Sequence, residues 1–270
     1  MFKRKINITR VNKQEKEDLQ DIVLIEQSID FFVNSEPLVN IICLPKDLKE
    51  LTYGFLYSIG LIDAIDDVKE VKILELENEI FIELDDSIDF KVEDINLNSV
   101  SRVIDTTCGI TSPWKKLIKN RIDEAKTKDR LWFKDLKIKS DIIFSTIKKM
   151  QSGTSLYRET GGCHGAAISD PEGNLLSVKE DIGRHNAIDK VIGDLLLKGE
   201  SFENTFLVTT GRLTGDSVLK AIRANIPIIA SISAPIESGI KLAFAYGMTL
   251  IGFARGKRMN IYTHPDRIEV

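Results

Sequence analysis

Two kinds of residue in this chain are equipped for chemistry: a thiol in a polar loop, and cations set in small-residue turns. Cys108 stands in Thr106-Thr107-Cys108-Gly109-Ile110-Thr111-Ser112-Pro113, a run rich in turn formers and poor in large apolar side chains. Thiolate is the attacking form of cysteine, and an ordinary thiol of pKa ~8.5 is only partly ionised at neutral pH. Arg102, Lys115, Lys116 and a helix start after Pro113 would lower that value if they lie close in space. A glycine-containing loop would let the sulfur swing between a donor and an acceptor. Of the other two cysteines, Cys43 lies in the apolar run Ile41-Ile42-Cys43-Leu44 and reads as core. Cys163 precedes His164, a pair with the outward form of a nucleophile and its base.

The cations are set in turns. Thr160-Gly161-Gly162-Cys163-His164-Gly165 opens an apolar run, and two adjacent glycines let the backbone approach a ligand with its amides directed at it. Glu180-Asp181-Ile182-Gly183-Arg184-His185-Asn186 falls at a strand-to-helix junction, where an Arg, a His and the free amides of a helix start suit an anion. Thr209-Thr210-Gly211-Arg212-Leu213-Thr214-Gly215 repeats that arrangement, and Ser231-Ile232-Ser233-Ala234-Pro235 repeats it without a charge. Glycines after strands are common turn chemistry. Several such turns in one region, two with an embedded Arg, point to a phosphate-bearing ligand.

The elements that must hold these turns are legible from periodicity. Residues 1–100 read as a smaller amino-terminal α+β domain, with short strands at Ile22–Ile25, Phe31–Val33 and Val39–Cys43. A helix follows, with Asp47 as expected N-cap, Glu50 three residues on, and Leu48, Leu51, Phe55 and Leu56 on one face. Val71–Leu76 and Ile80–Leu84 form an expected hairpin. Residues 101–139 read as the cysteine loop and a basic connecting segment running from Lys115 to Lys139, either a solvated helix face with a linker or a loop whose cations attract an anion or an acidic partner. Residues 140–270 read as a layered α/β domain with a largely parallel sheet. Its expected elements are a helix Ile142–Met150, a hairpin His164–Ser169 and Leu175–Val178, and a helix Asn186–Leu197. After them come strand Phe206–Thr209, a helix through Val218 and Ile222, strand Ile228–Ile232, and a helix Pro235–Tyr246 with Pro at its first position. Strands Met248–Phe253 and Met259–Tyr262 complete the set. The carboxyl ends of such strands are where a ligand belongs.

Composition narrows the function classes. The 270 residues are 43% hydrophobic and 29% charged with a formal net charge of −4, which describes a globular chain and excludes nucleic-acid binding by bulk electrostatics. No apolar run approaches the ~18 residues of a membrane span. The charged start MFKRKINITR lacks the apolar core of a secretory signal, and three scattered cysteines fit a reducing cytoplasm.

The runs Gly-Gly-x-His-x-Ala-Ala and Glu-Asp-x-Gly-Arg-His-Asn-Ala-x-Asp-Lys resemble those of the formate dehydrogenase accessory sulfurtransferase family. So do Thr210-Gly211-Arg212, Ser233-Ala234-Pro235, the ending Gly252 to Thr263, and Leu44-Pro45-x-Asp47-Leu48 with Leu51-x-x-Gly54-Phe55-Leu56. The likeness spans nearly the whole chain. It implies a protein that receives persulfide sulfur from a cysteine desulfurase on a loop cysteine, here Cys108. The sulfur would pass to the molybdenum of the bis(molybdopterin guanine dinucleotide) cofactor needed by formate dehydrogenase, that cofactor being bound as substrate. It further implies a homodimer and a carboxyl-terminal domain resembling the cytidine deaminase fold. The family's cofactor-binding stretch falls on Phe253, Ala254, Arg255, Gly256, Lys257 and Arg258, whose cations suit diphosphates. On physical grounds Gly161, Gly162, His164, Asp181, Gly183, Arg184, His185, Asn186, Gly211 and Arg212 are added as contacts to a guanine nucleotide, which would occupy the same site.

One departure stands out. Many members carry Cys-x-x-Cys in the loop, whereas Thr111 takes the second place here. One carrier suffices for a persulfide, and a non-catalytic chaperone that binds and delivers the guanylylated cofactor is the alternative. Cys163 falls where the family varies and reads as site lining. Zinc deamination needs His-x-Glu and Pro-Cys-x-x-Cys, and neither is present, so no metal is expected. His264 is assigned no role.

Overall fold

The computed structural model of the protein describes residues 2–88, 90, 103–104, 112–127 and 136–270. Strands β1 (Lys3–Asn12) and β2 (Glu15–Leu24) pair antiparallel as a separate two-stranded ribbon. Strands β3 (Gln27–Val33) and β4 (Glu36–Cys43) lead into helix α1 (Leu48–Ile59). Then come β5 (Val68–Leu74), β6 (Glu79–Leu84) and the short β7 (Val103–Ile104), closing a five-stranded sheet of order β5-β6-β3-β4-β7. Helix α2 spans Ser112–Thr127, and β8 (Ile138–Lys139) precedes α3 (Ser140–Gly153) and α4 (Ser155–Thr160).

The remaining elements build one larger sheet and its cover. They are β9 (His164–Ser169), β10 (Leu175–Asp181), α5 (Arg184–Leu197), β11 (Phe206–Thr209) and α6 (Gly215–Arg223). Then follow β12 (Ile228–Ser231), α7 (Glu237–Ala245), β13 (Thr249–Arg255), β14 (Arg258–Thr263) and β15 (Ile268–Glu269). The six-stranded order is β10-β9-β11-β12-β13-β14, and β15 pairs with β8 apart from it. Because alternate strand residues face opposite ways, Ala166, Ile168, Leu207, Ile229 and Leu250 join one buried cluster with α5 and α6. Their neighbours Ala167, Phe206, Val208, Ile228 and Ile251 join another with Ile143, Ile147 and Met150 of α3. The result is three layers, helix on sheet on helix.

The expectation of a largely parallel sheet is corrected. Within the six-stranded sheet only β11–β12 and β12–β13 pair parallel; β9 runs antiparallel to both β10 and β11, and β13–β14 is antiparallel. Tight turns impose this, since a connection as short as 170–174 or 256–257 cannot carry a parallel crossover. One helix start keeps its expected N-cap position without the capping bond, and another is corrected. Asp47 stands in the left-handed region (φ 54°) and makes no side-chain cap. It and Glu50 instead hold Lys179 of β10, at 3.4 and 2.7 Å. Pro235 precedes α7 by two residues because a bridge to Leu213 keeps the chain extended there.

The amino-terminal sheet meets the larger unit across α1 and α5, which cross in direct backbone contact. A Cβ on Gly54 would stand 1.7 Å from the Asp189 carbonyl oxygen, and one on Gly193 would stand 1.9 Å from that of Glu50. The absence of two side chains sets this approach, and one apolar cluster runs through both halves.

Candidate functional site

Register places all the sequence-marked turns on one edge of the six-stranded sheet. Asp181 at the end of β10 pairs with His164 at the start of β9, and Thr209 at the end of β11 lies between Ala166 and Ser231. The ends of β12 and β13 follow in parallel. The amino termini of α5, α6 and α7 therefore lie at the same edge, each with the positive end of a helix dipole.

At its centre, His164 Nδ1 lies 3.1 Å from Thr210 Oγ1, which also accepts from the Gly165 amide at 3.0 Å. Arg184, the first residue of α5, lays its aliphatic stem on Gly211. A Cβ there would come within 2.7 Å of Arg184 Cβ, so the glycine admits the arginine. Arg184 is half-buried and Arg212 exposed. Burial and then the neighbouring Arg212 lower the Arg184 pKa, against the opposing charge of Asp216. His164 is lowered by burial and then by Arg184 and Arg212. His185 is pushed well down by burial and then by Lys220, Arg184 and Lys115. Both imidazoles are thus neutral hydrogen-bonding groups at neutral pH, set among fixed cations. Arg184 Nε and His185 Nε2 are buried without a hydrogen-bond partner among the described residues. An Arg184 donor left open beside Arg212 suits an anion rich in acceptor oxygens.

Beneath this surface lies a polar network the ligand cannot reach. Asp181 is fully buried: one oxygen accepts from the Gly183 amide (2.7 Å) and Asn186 Nδ2 (3.0 Å), the other from Lys190 Nζ (2.6 Å) and the Leu44 amide (3.1 Å). Asn186 also donates to the Ile42 carbonyl at 2.9 Å. Asp181 and Asn186, expected as ligand contacts, are therefore placed as supports that fasten the Gly183–Arg184 turn to the end of β4. Glu180 similarly accepts from the Leu156 and Tyr157 amides (3.1 and 2.7 Å) and orients α4. Gly161 and Gly162 sit exposed at the carboxyl end of α4, where Gly161 adopts the left-handed cap (φ 66°).

Cys163 is buried, its sulfur 3.5 Å from Glu180 Oε1. Burial and then the Glu180 charge push its thiol up to about 12, which disqualifies it as a nucleophile at neutral pH. Cys43 is buried in the core and raised in the same way, by burial first. Cys108 lies outside the described residues.

The Phe253–Arg258 stretch forms the β13–β14 hairpin at the far side of the same edge, two strands from β11 or roughly 10 Å at ordinary strand spacing. Ala254 is buried, while Arg255, Gly256, Lys257 and Arg258 are exposed around the turn. Phe253 adopts φ 53°, uncommon for a bulky residue, where the pairing slips between Gly252 and Arg255; its amide bonds Ser233 O at 3.0 Å. The bulge re-aims the hairpin.

Three contributors escaped the sequence reading. Thr210 stands there only as part of a turn, Lys190 only as the end of the Glu180–Lys190 run, and Asp216 is not singled out. Their roles depend on tertiary partners that no local pattern signals. His264, given no role, stacks on Phe244 (centroids 5.6 Å apart) and bonds its carbonyl at 3.1 Å. Among the described residues no cluster of three or more His, Cys, Asp or Glu is arranged for a metal. No described helix is long and apolar enough to cross a membrane.

Residues 24–269 match the model of the FdhD/NarQ family. The chain is 37% identical over 269 residues to the sulfur carrier protein FdhD of Saccharolobus solfataricus, covering 98% of each chain. It is 33% identical over 264 residues to the protein of that name in Bacillus subtilis, covering 97% of this chain and 96% of the other. A crystal structure of a protein described as a formate dehydrogenase accessory protein from Desulfotalea psychrophila superposes over the whole of both chains with a TM-score of 0.76 at 27% identity.

Proposed function

The chain belongs to the FdhD/NarQ family, and from that premise we propose that it is a sulfur carrier serving formate dehydrogenase, with Cys108 as the carrier thiol. The Cys108 thiolate attacks the outer sulfur of a cysteine desulfurase persulfide, and the donor thiolate leaves. The outer sulfur of the new persulfide then bonds to the molybdenum of the bis(molybdopterin guanine dinucleotide) substrate as the S–S bond breaks. The reduced metal supplies the electron pair and is oxidised by two electrons, and Cys108 leaves as its thiolate. The protein works in the cytoplasm as a homodimer, and its layered carboxyl-terminal unit is of the cytidine deaminase type.

One observation carries the ligand half of this reading: five strand ends and three helix starts converge on one edge that carries Arg184, Arg212 and the cations of the β13–β14 hairpin. Arg184, Arg212 and the neutral His164 face that edge and suit the diphosphate of a guanine nucleotide. Arg255, Lys257 and Arg258 suit the second charged end of a long, doubly nucleotide-bearing substrate. Gly183, whose amide is taken by Asp181, and Gly211, beneath the Arg184 stem, shape the turns that carry the two arginines.

Isothermal titration with guanosine diphosphate tests the site. The native chain should bind it, and Arg184→Ala should lose at least about tenfold in affinity, as expected for a charge-assisted bond. Failure of the native chain to bind, with inorganic diphosphate also inert, would overturn the assignment of this edge as a nucleotide site.

A further inference from the structure

Helix α2 follows Cys108 in the sequence, and its basic face has so far been given no task. Lys115, Ile118 and Ile122 recur at i, i+3 and i+7, which puts them on one face. Ile118 and Ile122 are fully buried in the core shared with α1 and α6. At the head of that face, Lys115 Nζ lies 3.1 Å from Asp216 Oδ1. Further along, Asp123 accepts from the Tyr246 hydroxyl beyond α7 at 2.9 Å. Lys116 and Lys119 are exposed.

Asp216 is 5% exposed and belongs to the first turn of α6, directly behind the Gly211–Thr214 turn of the ligand edge. A carboxylate so buried needs a cation, and Lys115 reaches it from another element. Its charge is also felt at Arg184. The carboxylate therefore joins the helix next to the carrier cysteine with the arginine that opens the ligand site.

Resting on the reading above, we propose that the Lys115–Asp216 ion pair positions α2 against the ligand edge, with both groups acting as positioning residues and neither as a ligand contact. Lys115 is half exposed and Ile118 and Ile122 stay buried in the core, so loss of the pair should loosen α2 without unfolding the chain.

The test is hydrogen exchange of α2 amides in the full chain, paired with titration of guanosine diphosphate. Lys115→Met should speed exchange at residues 117–123 by about fivefold, the scale of one such pair. Amides of α5 should keep the native rate and guanosine diphosphate affinity should stay within about twofold. Lys115→Arg should restore the native rate, which a lost packing contact would not predict. Asp216→Asn should match Lys115→Met, and the double variant should add nothing to either, since both remove one contact. Unchanged α2 exchange in Lys115→Met, or additive effects in the double variant, would overturn the proposal. So would a tenfold loss of nucleotide affinity with α2 exchange unaltered, because Lys115 would then be a ligand contact. If guanosine diphosphate fails to bind the native chain, the functional reading falls, while the exchange series still decides whether the pair positions α2.

Discussion

Arg184 and Arg258 stand on the same edge of one sheet, yet they are held in opposite ways. Arg184 starts a helix, rests on Gly211, and rises from a turn whose Asp181 is fully buried and fully bonded. Arg258 starts an edge strand after an exposed turn, with Arg255, Lys257 and itself open to solvent. The first arrangement fixes position and draws its strength from desolvated partners. The second supplies charge on a hairpin that is free to adapt. A ligand with two phosphate-bearing ends suits a site with one preorganised half and one compliant half.

The difference can be sharpened by experiment, and the largest effect is expected for thiol chemistry. With a thiol near 12, Cys163 is almost wholly protonated at pH 8, whereas a cysteine placed on the hairpin by Lys257→Cys should titrate as an ordinary thiol. Iodoacetamide should label the hairpin position about a thousandfold faster. Comparable rates would show that the turn region is far more open than described.

Stability should divide the same way. Asp181→Ala leaves Lys190, 0% exposed, as an uncompensated buried cation, and should cost about 3–5 kcal/mol in chemical denaturation. Lys257→Ala should stay within about 0.5 kcal/mol. Equal costs would erase the contrast between the two halves.

Salt should separate their binding roles. Between low ionic strength and ~0.5 M salt, the contributions of Arg255 and Arg258 to guanosine diphosphate affinity should fade by several-fold, because exposed charges are screened and half-buried ones less so. The loss caused by Arg184→Ala should persist. A hairpin contribution as salt-resistant as that of Arg184 would mean that the turn closes on the ligand.

The smallest effect is on pH. His164 and His185 lie below the ordinary 6.5 in the folded chain because of burial and then neighbouring cations. The unfolded chain therefore binds more protons as pH falls through about 6.5. Folding stability should be complete above that value and decline below it, by at most ~1.4 kcal/mol per pH unit for each histidine. Stability that rises on acidification over this range would contradict the neutral, cation-flanked assignment.

Much of the carboxyl-terminal unit was legible because its central strands β9, β11 and β12 are buried on both faces and read as short apolar runs. Phe206–Thr209 reads as a strand and is β11, and the runs through Gly183, Arg184, Gly211 and Arg212 do lie at strand-to-helix turns on one edge. Elements whose cause lies elsewhere in the chain were not legible. Of the β1–β2 ribbon only the end is marked, by the expected strand Ile22–Ile25; the rest carries charge runs such as Lys3–Lys5 and Glu15–Asp18 and is largely exposed, so no burial period marks it. Asp47 does stand at the N-cap of α1, but its carboxylate is taken by Lys179 of β10 and caps no amide. Asp181 and Asn186 have the residue types of ligand contacts, but the end of β4 claims them through Leu44 and Ile42. Motif spacing locates a turn, while the direction of each side chain within it is decided by whatever packs behind.

Intact mass after incubation with a cysteine desulfurase and cysteine tests the central claim most directly, with the native chain set beside Cys108→Ala. Sulfur carriage on Cys108 predicts one added sulfur, removed by reductant and missing from the variant. No added sulfur beside a demonstrably active donor, or equal loading of the variant, would contradict it.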